Sequence, residues 1–111
     1  MEQIHWSDFE KVVIKTGTIL TARSFPEARK PAYQLEIDFG ADGILKSSAQ
    51  ITNHYTTDEL VGMQIVAVIN FPPKQIGPFM SQCLVLGAVN EDGSVVLLQP
   101  SKKTNNGLRV A

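Results

Sequence analysis

The sequence predicts an all-β domain: a five-stranded Greek-key barrel with a short helix between strands three and four, a short N-terminal helix and a C-terminal strand extension. Three observations carry that reading. Tyr33, Leu35, Ile37 and Phe39 alternate with Gln34, Glu36 and Asp38, the period of a strand with one buried face. A β-branched first strand contains Gly17, the kind of interruption by which barrel strands turn corners. A short capped helix then falls between the third β-rich segment and the fourth, which favours a barrel over a sandwich.

Ser7-Asp8-Phe9-Glu10 starts the first helix, with Ser7 as cap and Glu10 three residues on. The β-branched run Val12-Val13-Ile14 keeps it short. Ile4 and Trp6 before it need an apolar surface, either the domain itself or a second subunit. Val12 to Ala22 is the first strand. Its apolar residues change parity between Ile14 and Ile19, so a bulge is expected at Gly17. After the alternating second strand, Gly40-Ala41-Asp42-Gly43 turns the chain into Ile44 to Ser48, completing a hairpin. Thr56 caps the next helix with Glu59 three positions on, and Gly62 ends it. Gln64 to Asn70 is the fourth strand and Gln82 to Val89 the fifth. Between them Pro72, Pro73 and Pro78 each fix φ and remove a donor. The expectation is a stiff loop that adds no hydrogen-bonded strand and holds Phe71, Lys74 and Phe79 in place. Asn90 to Gly93 turns into a last strand, Ser94 to Leu98. A polar tail follows, with a turn at Asn105-Asn106-Gly107.

The 111 residues suit one domain, with a core over about 12–90 and flanking segments outside it. A net charge of −1 argues against a broad basic surface, though local clusters of Lys and Arg remain open. The lone cysteine, Cys83, lies in the apolar run Cys83-Leu84-Val85-Leu86, so no intrachain disulfide forms and a buried core thiol is expected. The N-terminus has no basic region followed by an apolar core, and no apolar run reaches the roughly 20 residues that span a bilayer. A cytoplasmic protein with no membrane insertion is expected.

The order of elements is that of the oligonucleotide/oligosaccharide-binding (OB) fold, whose ligand face is strands two and three flanked by the loops joining strands one to two and four to five. Arg29 and Lys30 lie in the first of those loops, Lys46 on strand three and Lys74 in the second. They either converge for phosphate-backbone contact or stand as separate solvated charges. Ser47, Ser48, Gln50, Ser81 and Gln82 either bind a ligand or cap the barrel. Phe71, Ile76, Phe79 and Tyr33 have three open uses: stacking on bases, lining a groove for extended peptide, or packing the proline-rich loop. Phe9 and Phe39 read as core. His5 and His54 lack partners at metal-ligand spacing, no His neighbours a Ser or Cys nucleophile, and no Gly-rich phosphate loop is present. The expectation is a noncatalytic binding protein with no metal and no cofactor.

Four motifs now stand in order: Phe25-Pro26-Glu27-Ala28-Arg29-Lys30-Pro31-Ala32-Tyr33, Ile37-Asp38-Phe39-Gly40, Lys46-Ser47-Ser48-Ala49-Gln50-Ile51-Thr52, and Asn70 to Phe79. With the ending Leu98-Gln99-Pro100 and Asn106-Gly107-Leu108-Arg109, they resemble the OB-fold tRNA-binding domain family, and within it the CsaA-type export-related chaperones. The resemblance covers nearly the whole chain. It implies tRNA binding, capture of unfolded or presecretory polypeptides, and a homodimer with the flanking helix and C-terminal strands in its interface. It also favours Ser81 and Gln82 as ligand neighbours. Lys74 stands where such chains frequently have Arg, which weakens bidentate phosphate contact. The leading expectation is a secretion-related chaperone built on a tRNA-binding fold. The alternative is a dedicated tRNA-binding protein without a chaperone role, and an enzyme on the same barrel ranks below both.

Overall fold

A computed structural model describes residues 1–111. Helix α1 (Trp6–Glu10) precedes strands β1 (Ile14–Ser24), β2 (Tyr33–Asp38) and β3 (Ile44–Ala49). A 3-10 turn, Gly40–Asp42, joins β2 to β3, and α2 (Thr57–Leu60) leads to β4 (Gln64–Val68). Then come β5 (Lys74–Ile76), β6 (Phe79–Ser81), β7 (Leu84–Val85), β8 (Gly87–Val89) and β9 (Val95–Leu97). The main sheet has five strands in the order β3-β2-β1-β4-β7, nearly closed as an antiparallel barrel; β5–β6 and β8–β9 are separate two-stranded ladders. This is the OB-type barrel expected. Its core of 11 buried residues includes Ile19, Leu35, Ile37, Phe39, Leu60 and Ile65.

The alternating strand behaves as its pattern demands. Leu35 and Ile37 are fully buried while Gln34 and Glu36 are not. The capping box at α2 also forms, with the Glu59 N–H donating to Thr56 Oγ1 and the Thr56 N–H to Glu59 Oε1. Helix α1 starts two residues earlier than expected. His5 is its cap position, and the Asp8 carboxylate accepts from the His5 N–H at 2.9 Å, so Ser7 does not cap it.

Gly17 does not carry the bulge. Register with β2 slips between Ile19 and Thr21, which leaves Leu20 as the extra residue. Gly17 is required for a different reason: a Cβ there would lie 2.7 Å from Phe39 Cε1 and 2.8 Å from Ile37 Cγ2. The parity change has its own cause in the tail. Gly17 and Ile19 face inward, while Thr16 and Thr18 on the other face donate to Asn105 O and to Asn106 Oδ1, each at 2.8 Å. Backbone bonds from the Thr16 N–H to Leu108 O, from the Gly107 N–H to Thr16 O and from the Val110 N–H to Ile14 O extend the sheet along β1 where β2 does not reach.

The proline-rich segment is not a strandless loop. Lys74, Gln75 and Ile76 pair with Ser81, Met80 and Phe79 as a hairpin. The prolines permit it because all three lie outside the ladder. Gly77, at φ +54°, and Pro78 make the two-residue turn, with Gly in the first central position as a type II′ hairpin requires. The expected fifth strand also divides. Leu84 and Val85 pair with β4, whereas Gly87 to Val89 swing out to pair with β9. Gly87 allows this close crossing, since a side chain there would collide with Val95.

Candidate nucleic-acid interface

Register places two rows of side chains on the outer face of β1, β2 and β3. One row is Arg23, Gln34 and Ser48; the other is Thr21, Glu36 and Lys46. Inward residues alternate with them, so Leu35 and Ser47 point into the barrel. Two adjoining concavities follow these rows. Arg23, Gln34, Glu36, Lys46 and Phe79 line the first. Arg29, Lys30, Ser48, Gln50 and Lys74 line the second, with Glu27. Lys46 and Ser48 sit two apart on β3, which makes the two hollows neighbours.

Five cations against two carboxylates make this flank basic. None of the five is engaged in an ion pair, because the single pair in the molecule is Lys15 with Asp42 at 3.2 Å. Glu36 is instead an acceptor for the Thr21 hydroxyl at 2.8 Å. Unpaired cations on a rigid face hold their charge available to an incoming anion.

The predicted residues separate on this geometry. Arg29, Lys30 and Lys74 come together, Lys46 lies in the adjoining hollow, and Ser48 touches the second. Phe71 is 53% exposed, beside Lys74, Ser81, Gln82 and Leu84 in a further concavity. Three others are corrected. Ser47 is only 1% exposed and faces the interior, out of a ligand's reach. The Tyr33 ring packs on the barrel core, and its hydroxyl donates to Tyr55 O at 2.7 Å. Phe79 is 9% exposed and edge-on to Phe25, centroids 5.4 Å apart, so its ring offers no stacking face to a base.

Ser81 and Gln82 are structural ties. The Ser48 N–H donates to Ser81 Oγ at 3.0 Å, the Gln82 N–H to Lys46 O at 2.7 Å, and the Lys46 N–H to Gln82 Oε1 at 2.9 Å. They bind the hairpin to β3 and so fix Lys74 relative to Lys46. Cys83 is a core thiol, pushed up to about 12 by burial against a smaller opposing hydrogen bond with Ser47. It stays protonated at neutral pH.

Arg23 was missed because the first strand runs two residues beyond Ala22. Its alternation with Thr21 was the available signal. Nothing local to Arg23 marks it as a binding group.

A second region, around α2 and the β8–β9 turn, is built differently. Asp58, Glu59, Glu91 and Asp92 stand at α2 and the β8–β9 turn, with no Lys or Arg between residues 83 and 101 or between 50 and 73. Ser94, 5% exposed, donates to Asp92 Oδ1 at 2.6 Å. Its one proton being used, it accepts from His54 Nε2 at 2.9 Å and from Asn90 Nδ2 at 3.2 Å. These groups satisfy one another and leave little for a ligand. No group of three or more His, Cys, Asp or Glu side chains is placed to hold a metal ion.

Comparison with known proteins agrees with this architecture. The crystal structure of chaperone CsaA from Bacillus anthracis superposes with a TM-score of 0.94 at 49% identity, over 99% of this chain and 100% of that one. CsaA from Picrophilus torridus gives 0.91 at 50% identity, over 98% and 100%. The methionine–tRNA ligase of Bacteroides fragilis is 34% identical over 107 residues, which is 96% of this chain and 16% of the ligase. Residues 14–109, from the start of β1 to the tail that closes it, match the tRNA binding domain family. The chain belongs to that tRNA binding domain family.

Proposed function

We propose that this protein is a noncatalytic binding module whose ligand is tRNA, held by its phosphate backbone across the β1–β2–β3 face. The observation that carries this is the five unpaired cations, Arg23, Arg29, Lys30, Lys46 and Lys74, on one flank of a rigid barrel. Phe71 is the one well-exposed aromatic beside them, so backbone contact dominates over base stacking. A cytoplasmic location accords with such a ligand, and no helix is long and apolar enough to cross a membrane.

Salt titration tests the reading. Five phosphate contacts give a log–log slope of affinity against salt of about −4. Lys46→Ala with Lys74→Ala should reduce that slope by about two and weaken tRNA binding in a gel-shift titration. A slope near zero, or unchanged affinity in the double variant, rejects the proposed face.

A second reading has its own support. Identity of 49–50% to two chaperone CsaA structures along the whole chain favours a secretion-related chaperone that captures unfolded or presecretory polypeptides. Exposed Phe71, beside Pro72 and Leu84, supplies an apolar contact for such a client. Suppression of client aggregation should then be little affected by salt and reduced by Phe71→Ser, as followed by light scattering. Full suppression by that variant removes Phe71 from the client site. A homodimer fits either reading: Ile4, Trp6, Val89, Val96 and Leu98 are exposed apolar groups on the flanking helix and C-terminal strands. Two faces on one dimer would raise affinity for a long ligand. Sedimentation equilibrium checks the stoichiometry, and a monomer at working concentration rejects it.

A further inference from the structure

Apart from the barrel core, the molecule has a second, smaller one. Phe25, Ala32 and Phe79 are buried together, with Ala28 and Ile76 packed against them. Its parts come from two places: the loop between β1 and β2, and the β5–β6 hairpin. The loop is folded back on itself by Phe25 N–H to Ala32 O at 3.2 Å and Ala28 N–H to Phe25 O at 3.3 Å. That loop carries Arg29 and Lys30; the hairpin carries Lys74 on the same face as Phe79. The third cation-bearing element also meets this ring, since Lys46 Nζ lies 5.3 Å from the Phe79 centroid.

From this convergence, and resting on the tRNA reading above, we infer that Phe79 is a positioning residue: one buried ring that locks the loop onto the hairpin and Lys46, themselves tied through Ser81 and Gln82, as a single preformed set of cations. It offers no stacking face and acts through the cations around it. No backbone ladder joins the loop to the hairpin, so this small core is their joint. Without the ring, Arg29 and Lys30 would have to be ordered against Lys74 on binding, and the entropy of that ordering weakens the complex.

Phe79→Leu keeps an apolar side chain of similar bulk and removes both the edge-on aromatic pair and the ring beneath Lys46. Expected is about fivefold weaker tRNA binding, the size of an aromatic pair's contribution. Phe79→Tyr, whose hydroxyl lies at the ring edge, should restore most of it. The decisive measurement is a thermodynamic cycle. In a background carrying Arg29→Ala, Lys30→Ala and Lys74→Ala, Phe79→Leu should cost little further, because of that set only Lys46 is left. An equal cost in both backgrounds, or no cost in the native one, overturns the inference. The triple cation variant alone tests the parent reading, since unchanged tRNA affinity there removes the face itself, whatever Phe79 does. Circular dichroism melts separate positioning from unfolding: a Phe79→Leu protein that is half unfolded at the assay temperature is replaced by Phe25→Leu, on the other side of the same contact, with the same two outcomes.

Discussion

Two regions of this barrel treat polar groups in opposite ways. At the β8–β9 turn, Ser94, His54, Asn90 and Asp92 bond to one another, and carboxylates stand without cations. At the β1–β2 loop and the β5–β6 hairpin, cations stand without carboxylate partners over an apolar joint. Both regions are carried by the same barrel. A polar group engaged by its neighbours serves the fold, and a charged group left unengaged on a rigid support is available for binding. Lys15 shows the rule within one residue type. It donates to Gly107 O and pairs with Asp42, so it joins the tail to the barrel and leaves the binding face. The net charge of −1 therefore describes neither region, because it sums surfaces of opposite sign.

The comparison breaks most completely through the shared core. Gly17→Ala forces a methyl into Phe39 and Ile37 and should destabilise the protein by about 1–3 kcal/mol. Urea melts followed in both regions should show one common transition; two separate midpoints would mean that the regions do not depend on the barrel core together. Charge reversal sharpens the contrast next. Arg23→Glu with Lys46→Glu should weaken tRNA binding by about tenfold or more at low salt, while Glu91→Lys at the β8–β9 turn should change it less than about twofold. Comparable effects from both would erase the distinction in a single filter-binding experiment. Ser94→Ala is a smaller perturbation, about 1 kcal/mol of stability, because its former partners are exposed and can turn to water. It should leave tRNA affinity untouched.

The smallest effect is acid sensitivity in the engaged region. The Ser94 hydroxyl and then the Ser94 N–H, both donating to Asp92, hold its carboxyl below the usual 3.8, with the His54 charge a lesser cause. A carboxylate depressed in the folded state stabilises it above the unfolded value and loses that contribution as pH falls through the folded one. Melting temperatures should thus drop more steeply in the native protein than in Asp92→Asn as pH falls below about 4. Parallel curves would show that Asp92 contributes nothing to this region.

What was legible in the sequence was local. Alternation in Tyr33–Phe39, the Thr56–Glu59 box and the Gly40–Gly43 turn each depend on neighbours within a few residues, and each formed. Position along the OB strand order also grouped Arg29, Lys30, Lys46 and Lys74 sensibly. The losses came where distant segments decide. Whether Phe79 is exposed depends on Phe25. The prolines suggested a loop with no ladder because each one removes a donor, yet a ladder needs donors only at its paired positions, and the prolines avoid them. The parity of β1 pointed to Gly17 because the contacts from Thr16 and Thr18 to the tail are invisible at that range.

Those tail contacts have a consequence for biosynthesis. Residues 14–16 of β1 bond to residues 107–110, nearly the whole chain away. While a ribosome is still adding the later residues, the first strand has no partner along that side and presents open donors and acceptors to any extended chain nearby. Folding to the finished barrel must wait for residue 110 to emerge, so a nascent chain stalled before the tail is the form of this protein most exposed to aggregation.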